Sequence, residues 1–383
     1  MEIKFIMGEA GTAKTTLITE MMMELNNFVG LSFTHSSVNN MKNMYKKKYF
    51  ETHNEEIKDN VLKKKFYTIH SYFQIPYNNF TKISHRKEKD LHEFIFIDEF
   101  SLIPIDIIEY IFSFISSFKR KIVLIFSGDL LQLNPINLEK KPINIKKMNN
   151  IKINLPFEET LFIAEHLSNN IYSTNEFSKS EKIVLTKNYR SDTKVLNILS
   201  KAIDNIEEIE IIEYSKIEKL IEDGYIILSS RFKYLSMIQK NFQKTTNEQI
   251  ITNLGLTNIE IGQKFILTKN INSKFNNGDE IQIISITKEK ITIGNKFGMY
   301  DFEKNETIPI IPTNLITIHR SQGLTLDKII IILDDLFEIT MLYTAITRAK
   351  EDVLFYVFDR KKINLLKKYN SAFKSLKKII YQI

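Results

Sequence analysis

The stretch GEAGTAKTT, Gly8 to Thr16, places two turn-forming glycines, one lysine and adjacent hydroxyls in a nine-residue run. It follows a short apolar-alternating strand, Glu2 to Met7, and opens a helix whose Leu17, Ile18, Met21, Met22 and Leu25 share a face. In that order, strand, turn and helix make a phosphate-binding loop. Backbone N–H groups and the helix N-terminus would hold a triphosphate, Lys14 would neutralise its β- and γ-oxygens, and the Thr15 hydroxyl would sit on Mg²⁺. The nucleotide-holding set is Gly8, Ala10, Gly11, Thr12, Ala13, Lys14, Thr15 and Thr16. An ordinary glycine turn is the bland alternative. Ala13 stands where the pattern has glycine; the expectation is that this residue falls in the first helical turn at negative φ, where a methyl group is tolerated.

Two further strings would converge on that loop. FIFIDEFS, Phe94 to Ser101, is a buried strand delivering Asp98 and Glu99 at its C-terminal end, the edge where a parallel sheet binds ligands. Asp98 would hold Mg²⁺, and Glu99 would orient and deprotonate an attacking water. FSGDLLQLNP, Phe126 to Pro135, offers Gln132 as a sensor of the γ-phosphate, a Gly-Asp turn being its bland reading.

The elements that must position these groups read as α/β. Strand-like runs at Phe28 to Phe33, Phe94 to Asp98 and Ile122 to Ser127 have the rhythm of a parallel sheet covered on both faces. A second set, Ile183 to Leu185, Tyr225 to Ser229, Lys328 to Leu333 and Val353 to Phe358, alternates with helical segments Thr193 to Ile203 and Phe337 to Ala349 and predicts a second α/β domain. Between Gly255 and Pro312, short β-branched runs joined by turns such as Asn277-Gly278-Asp279 predict a small all-β barrel inserted in the second domain. The expected division is residues 1–138 for the first domain, 139–254 with 313–383 for the second, and 255–312 for the barrel, with Lys140 to Asn154 as the hinge region.

The 383 residues, 43% hydrophobic and 26% charged, suit a soluble globular chain of two or three domains. Met1 leads directly into a strand and no uncharged run of 18 apolar residues occurs, so a soluble intracellular protein with no membrane partner is expected. Zero cysteines exclude disulfides and thiolate zinc sites, and seven scattered histidines imply no structural metal. The net charge of +7 suits a polyanionic partner. Richness in Ile, Lys and Asn is the coding bias of an AT-rich genome, which discounts that charge and points to a phage, virus or mobile element.

Taken together, the three strings resemble motifs I, II and III of superfamily 1 helicases, and the resemblance extends from Gly8 to about Phe358. FTHSSVNNM (Phe33 to Met41) looks like motif Ia, YTIHSYF (Tyr67 to Phe73) like Ib, and LTKNYRSD (Leu185 to Asp192) like IV. TIHRSQGLTLD (Thr317 to Asp327) looks like motif V and LYTAITRAK (Leu342 to Lys350) like VI. The subgroup most resembled is the 5′-to-3′ branch containing RecD and the bacteriophage Dda helicase. That implies two RecA-like domains, a small hairpin insertion at 74–93 in the first and an SH3-like barrel in the second.

The resemblance also implies roles. Arg190 and Arg348 match the family's two arginine fingers, both expected in the second domain so that ATP binds and closes an interdomain cleft. With Lys14, Glu99 and Gln132 they form the catalytic set; Thr15 and Asp98 are the metal ligands, and Gly323 of motif V joins the nucleotide-holding set. Thr34, His35, Ser36, Thr68 and His70 match strand-contacting positions in the first domain, and Thr317, His319 and Ser321 those in the second. Tyr77 or Phe80, flanking a turn before the basic His85-Arg86-Lys87, would stack on the first base pair as a wedge. Family members carry an adenine-reading segment before motif I. Only seven residues precede Gly8, so weak discrimination among nucleoside triphosphates is expected.

The leading expectation is thus an ATP- and Mg²⁺-dependent monomeric helicase, translocating 5′-to-3′ on single-stranded DNA and unwinding at single-strand/duplex junctions, with replication proteins as candidate partners. Two alternatives stay open: an RNA helicase of the same superfamily, since phosphate-gripping loops do not read the sugar, and a catalytically degenerate nucleic-acid-binding module, motivated by Ala13 and the short N-terminal stretch.

Overall fold

The computed structural model describes residues 1–76, 87–135, 156–242, 248–272, 274–275, 277–296, 298–336, 338–363 and 370–381. The chain divides into two compact units: Met1–Ser191 with Glu338–Thr344 and Lys368–Ile383, and Asp192–Phe337 with Ala345–Lys367.

The first unit is built on β1 (Glu2–Gly8), β2 (Phe28–Ser32), β3 (Phe66–Thr68), β4 (Phe94–Asp98), β5 (Val123–Gly128) and β6 (Glu181–Leu185), with helices α1 (Lys14–Met23), α2 (His35–His53), α3 (Asp59–Lys63), α4 (Ile69–Phe73), α5 (Ile105–Ser116), α6 (Phe157–Ser168) and α7 (Asn175–Lys179). The six strands form one parallel sheet in the order β3-β2-β4-β5-β1-β6. Continuous apolar runs such as Phe94-Ile-Phe-Ile97 belong where helices cover both faces, and β2 and β5 are buried throughout. On one face Ile18 and Met22 of α1 pack with Val38, Met41 and Tyr45 of α2 over Ile6, Phe28, Phe96 and Ile125. The spacing of Val38, Met41 and Tyr45 is that of one helical face, and α2 ends at Asn54 in the left-handed conformation (φ 54°).

The second unit contains α8 (Thr193–Asp204), α9 (Ile217–Glu222), β7 (Ile226–Ser229), α10 (Phe232–Phe242), β8 (Gln249–Thr252), β9 (Gly255–Asn258), β10 (Lys264–Leu267), β11 (Glu280–Ile286), β12 (Lys290–Asn295), β13 (Gly298–Glu303), β14 (Thr307–Ile308), β15 (Ile310–Pro312), β16 (Leu315–Thr317), α11 (Ile318–Ser321) and β17 (Leu326–Ile332). Helix α12 (Ile339–Ile346) crosses the division, β18 (Ala349–Tyr356) lies in the second unit, and α13 (Asn370–Tyr381) in the first. Strands β16-β7-β17-β18 form a second parallel sheet. Between β7 and β16 sits the β-rich insertion, a five-stranded sheet β13-β12-β11-β10-β15 and a three-stranded sheet β14-β8-β9. The two share a core of Ile250, Ile259, Phe265, Leu267, Ile281, Ile283, Ile291 and Ile308.

Three boundaries differ from expectation. Ile183 to Leu185, assigned to the second domain, extends the first sheet: β6 pairs in parallel with β1 from Lys4↔Glu181 to Gly8↔Leu185. An apolar run carries no mark of which sheet it will join, and β1 had an open edge. Glu338–Thr344 and the segment 370–381 likewise belong to the first unit rather than the second. The β-rich insertion begins at Gln249 rather than 255, because β8 pairs with β9 and puts Ile250 into the shared core. The proposed wedge residues Tyr77 and Phe80, and the hinge Lys140 to Asn154, lie outside the described residues. Among the described residues no helix is long and apolar enough to cross a membrane.

Candidate nucleotide and nucleic-acid sites

The loop leaves β1 at Gly8 and enters α1 at Lys14, whose N-terminus has neither a capping side chain nor an acidic residue in its first turn. An uncapped helix start with free N–H groups accepts an anion. Gly11 has φ +84°, and a Cβ there would stand 2.7 Å from the Asn188 amide. Ala13 has φ 62° and ψ 27°. The expectation of a negative φ is therefore wrong: the chain turns into the helix through the left-handed region, the reason the pattern has glycine at this place. Lys14 is buried, with Nζ donating to the Gly8 and Glu9 carbonyls, each at 2.8 Å. Burial lowers its pKa, opposed by the Asp129, Glu99 and Asp98 carboxylates.

Asp98 and Thr15 meet as expected of a cation-holding pair, the Thr15 hydroxyl donating to Asp98 Oδ2 at 2.9 Å. Burial, then the neighbouring Glu99, pushes the Asp98 carboxyl up to about 6, with the Ser127 and Thr15 hydroxyls pulling the other way. A carboxylate so strained toward protonation gains from a divalent cation. Two oxygens suit Mg²⁺, which keeps several waters and takes other ligands from phosphate; no cluster of three or more acidic or histidine ligands occurs among the described residues. Glu99 turns out of the strand at φ 54°, and its buried Oε2 has no hydrogen-bond partner among the described residues. An unsatisfied buried acceptor at this position suits a group awaiting a water.

Gln132 is buried beside Asp129, with Nε2 donating to Asp129 Oδ2 at 3.3 Å. From the end of β6 the chain passes directly over the loop: Tyr189 N–H donates to the Gly11 carbonyl at 2.8 Å, and Asn188 Nδ2 to the Ala10 carbonyl at 2.9 Å. Asn188 Oδ1 accepts the Arg190 backbone N–H at 2.9 Å, fixing the chain there beside the loop. Burial lowers the Arg190 pKa, while Glu99, Tyr343, Asp129 and Asp98 raise it.

The sheet register relates this site to the strand-contacting candidates. Thr68, Ser32, Asp98 and Ser127 form one row at the C-terminal edge, so Thr68 lies two strand spacings, about 10 Å, from Asp98. Thr34 and Thr68 each cap the following helix, accepting the Ser37 N–H at 3.1 Å and the Ser71 N–H at 3.2 Å. His35 and Ser36 open α2, half-buried. His70 is largely buried against the Phe33 ring, and burial lowers its pKa. The second unit repeats the arrangement: Thr317 ends β16, and His319 stands two residues on in α11, again with its pKa lowered by burial. Ser321 differs; its hydroxyl is fully buried and donates to the Ile318 carbonyl, so it is held away from any strand in this conformation.

A family model described as an AAA domain matches residues 1–137, and one described as a UvrD-like helicase C-terminal domain matches residues 314–356. The ATP-dependent DNA helicase Pif1 of Campylobacter jejuni is 26% identical over 368 residues, covering 78% of this chain and 79% of the relative. Similar solved structures include a Bacteroides Pif1 in complex with ADP-AlF3 and single-stranded DNA (19% identity, TM-score 0.59, 98% of this chain and 94% of that one). The Candida albicans Pif1 helicase is another (16%, TM-score 0.58, 99% and 96%). The chain shares the fold of these helicase structures, and its motif strings are similar to those of superfamily 1 helicases.

Within that helicase frame Arg190 needs correction. It lies in the first unit, because β6 extends the first sheet and the chain passes the loop before leaving at Asp192. Arg348 is in the second unit as expected, almost fully buried, its Nη2 donating to Thr347 Oγ1 at 3.2 Å. Gly323 takes φ +79° after Gln322 at φ −60°, ψ 135°, and the Leu324 N–H reaches the Ser321 carbonyl, a type II turn that requires glycine there. Sequence reasoning missed Asn188, Asp129 and Tyr343, although all three lie inside the strings that were singled out.

Proposed function

We propose that this protein is an ATP-dependent helicase that translocates 5′-to-3′ on single-stranded DNA and unwinds duplex at junctions. The observation that carries the reading is the gathering of Lys14, Thr15, Glu99, Gln132 and Arg190 around Asp98 and Asp129 at one edge of a parallel sheet, where Asp98 shares a register row with Thr68. Lys14 and the loop N–H groups hold the triphosphate, Thr15 and Asp98 hold Mg²⁺, and Glu99 takes the proton of the attacking water. Arg190 and Arg348 offset charge that builds on the transferred phosphoryl group, and Gln132 senses its presence. A divalent cation bound by Thr15 and Asp98 supplies further charge neutralisation. Thr34, His35, Ser36, Thr68 and His70, with Thr317 and His319, contact the strand. The β-rich insertion serves as an SH3-like module, Tyr77 or Phe80 as the wedge. The working form is a monomer, with replication proteins as partners.

The test is unwinding of duplexes carrying a 5′ or a 3′ single-stranded tail, in matched DNA and RNA. The reading predicts ATP-dependent separation of the 5′-tailed DNA. Activity on the 3′-tailed duplex alone, or on RNA alone, would contradict it.

A further inference from the structure

Asp129 is fully buried and lies outside the expected catalytic set. Each of its oxygens accepts two hydrogen bonds. Oδ1 takes the Leu131 N–H at 3.0 Å and the Tyr381 hydroxyl at 2.7 Å; Oδ2 takes the Tyr343 hydroxyl at 2.8 Å and Gln132 Nε2 at 3.3 Å. A carboxylate has about four acceptor sites, and here all four are filled. Asp129 is thus a holder and not a base. Burial and the Asp129 charge keep both tyrosines protonated, hence donors.

The four bonds are unequal. The two hydroxyl contacts, at 2.7 and 2.8 Å, are the shortest, whereas the Gln132 amide at 3.3 Å is the longest and weakest. Gln132 is therefore the partner that can leave for a phosphate oxygen while the tyrosines keep the carboxylate satisfied. Tyr343 also accepts the Ala10 N–H of the loop at 3.2 Å, so the same carboxylate fixes loop and sensor together. Tyr381 comes from α13, which is further attached through Phe373 against the Tyr343 ring (5.3 Å) and a half-exposed Lys377–Glu9 ion pair at 2.6 Å.

We propose that Tyr381 and Tyr343 are positioning residues that set the poise of Gln132, making α13 a part of the nucleotide site. Removing the Tyr381 hydroxyl leaves Asp129 under-satisfied, and it then retains the Gln132 amide that should turn to the γ-phosphate. Tyr343 has the added task of placing the loop.

The inference rests on the nucleotide-hydrolysing reading, and the experiment separates the two. ADP and ADP–aluminium fluoride affinities are measured with Mg²⁺ present for wild type, Tyr381→Phe, Tyr343→Phe, Gln132→Ala and the Tyr381→Phe/Gln132→Ala double variant, together with melting temperatures. Tyr381→Phe should weaken ADP–aluminium fluoride roughly five- to tenfold, the scale of one net hydrogen bond, with ADP affinity unchanged and no further loss in the double variant. Tyr343→Phe should weaken both ligands. Equal weakening of both ligands by Tyr381→Phe, no weakening, or full additivity with Gln132→Ala would overturn the inference, leaving Tyr381 a structural tether. A wild type that binds neither ligand would overturn the reading of the site itself.

Discussion

Ala13 pays for the turn into α1 with its own backbone: at φ 62° an alanine costs about 1–2 kcal/mol, against roughly 0.4–1 kcal/mol gained from a stiffer unfolded chain. Ala13→Gly should therefore raise stability by about 0.5–1 kcal/mol in urea unfolding without lowering turnover; an unchanged or lower midpoint would show that the loop does not hold this conformation. His166 makes a second prediction at this scale. It is buried, hydrogen-bonded through Nε2 to the Leu130 carbonyl at 2.5 Å, and burial lowers its pKa to about 4 from 6.5. The unfolded chain thus binds the proton more readily, so this contribution is complete above pH 6.5 and is lost as pH falls toward 4, by about 3 kcal/mol in all. Asp98, raised to about 6, acts in the opposite direction over nearly the same range, so the informative quantity is the difference between wild type and His166→Gln. Wild type should lose stability relative to that variant between pH 6.5 and 4; parallel profiles would exclude a neutral buried His166. The convergence of Lys14, Asp98 and Glu99 was legible because a loop after one strand and acids ending another share the sheet's C-terminal edge. The sign of φ at Ala13 was not, because a lone alanine favours the helical region and only the loop's path forces it out.

At the scale of elements, threonine hydroxyls are used twice. Thr68 caps α4 from the end of β3, in the register row of Asp98. Thr68→Ala should cost about 1 kcal/mol of stability by losing the cap and should weaken binding of labelled single-stranded DNA in fluorescence anisotropy. Thr68→Ser should restore stability, since its hydroxyl still accepts the Ser71 N–H. Unaltered DNA affinity in Thr68→Ala would remove that edge from the strand-binding surface. Strands β2, β4 and β5 were readable as continuous apolar runs. The membership of β6 was not, because pairing partners are chosen by which edge lies open, and Glu181–Leu185 is only half-buried there. The same holds for α13: its buried Phe373, Leu376 and Ile380 mark an amphipathic helix, but nothing in that pattern says it will attach to the loop through Tyr381 and Lys377.

At the scale of the molecule, two parallel-sheet units each end a strand in a Thr-Ile-His string, Thr68-Ile69-His70 and Thr317-Ile318-His319, and the first also carries the phosphate-binding loop. On the proposed reading, these strings contact the strand and the loop hydrolyses ATP, so the reading stands on hydrolysis responding to a bound strand. The most direct measurement is steady-state ATP hydrolysis with and without single-stranded DNA, in wild type and Lys14→Ala. The account predicts Mg²⁺-dependent turnover strongly raised by the DNA and reduced by roughly 10²-fold or more in Lys14→Ala, the scale for removing one charge-stabilising group from a transition state. Turnover indifferent to DNA, or no turnover in wild type under either condition, would contradict it.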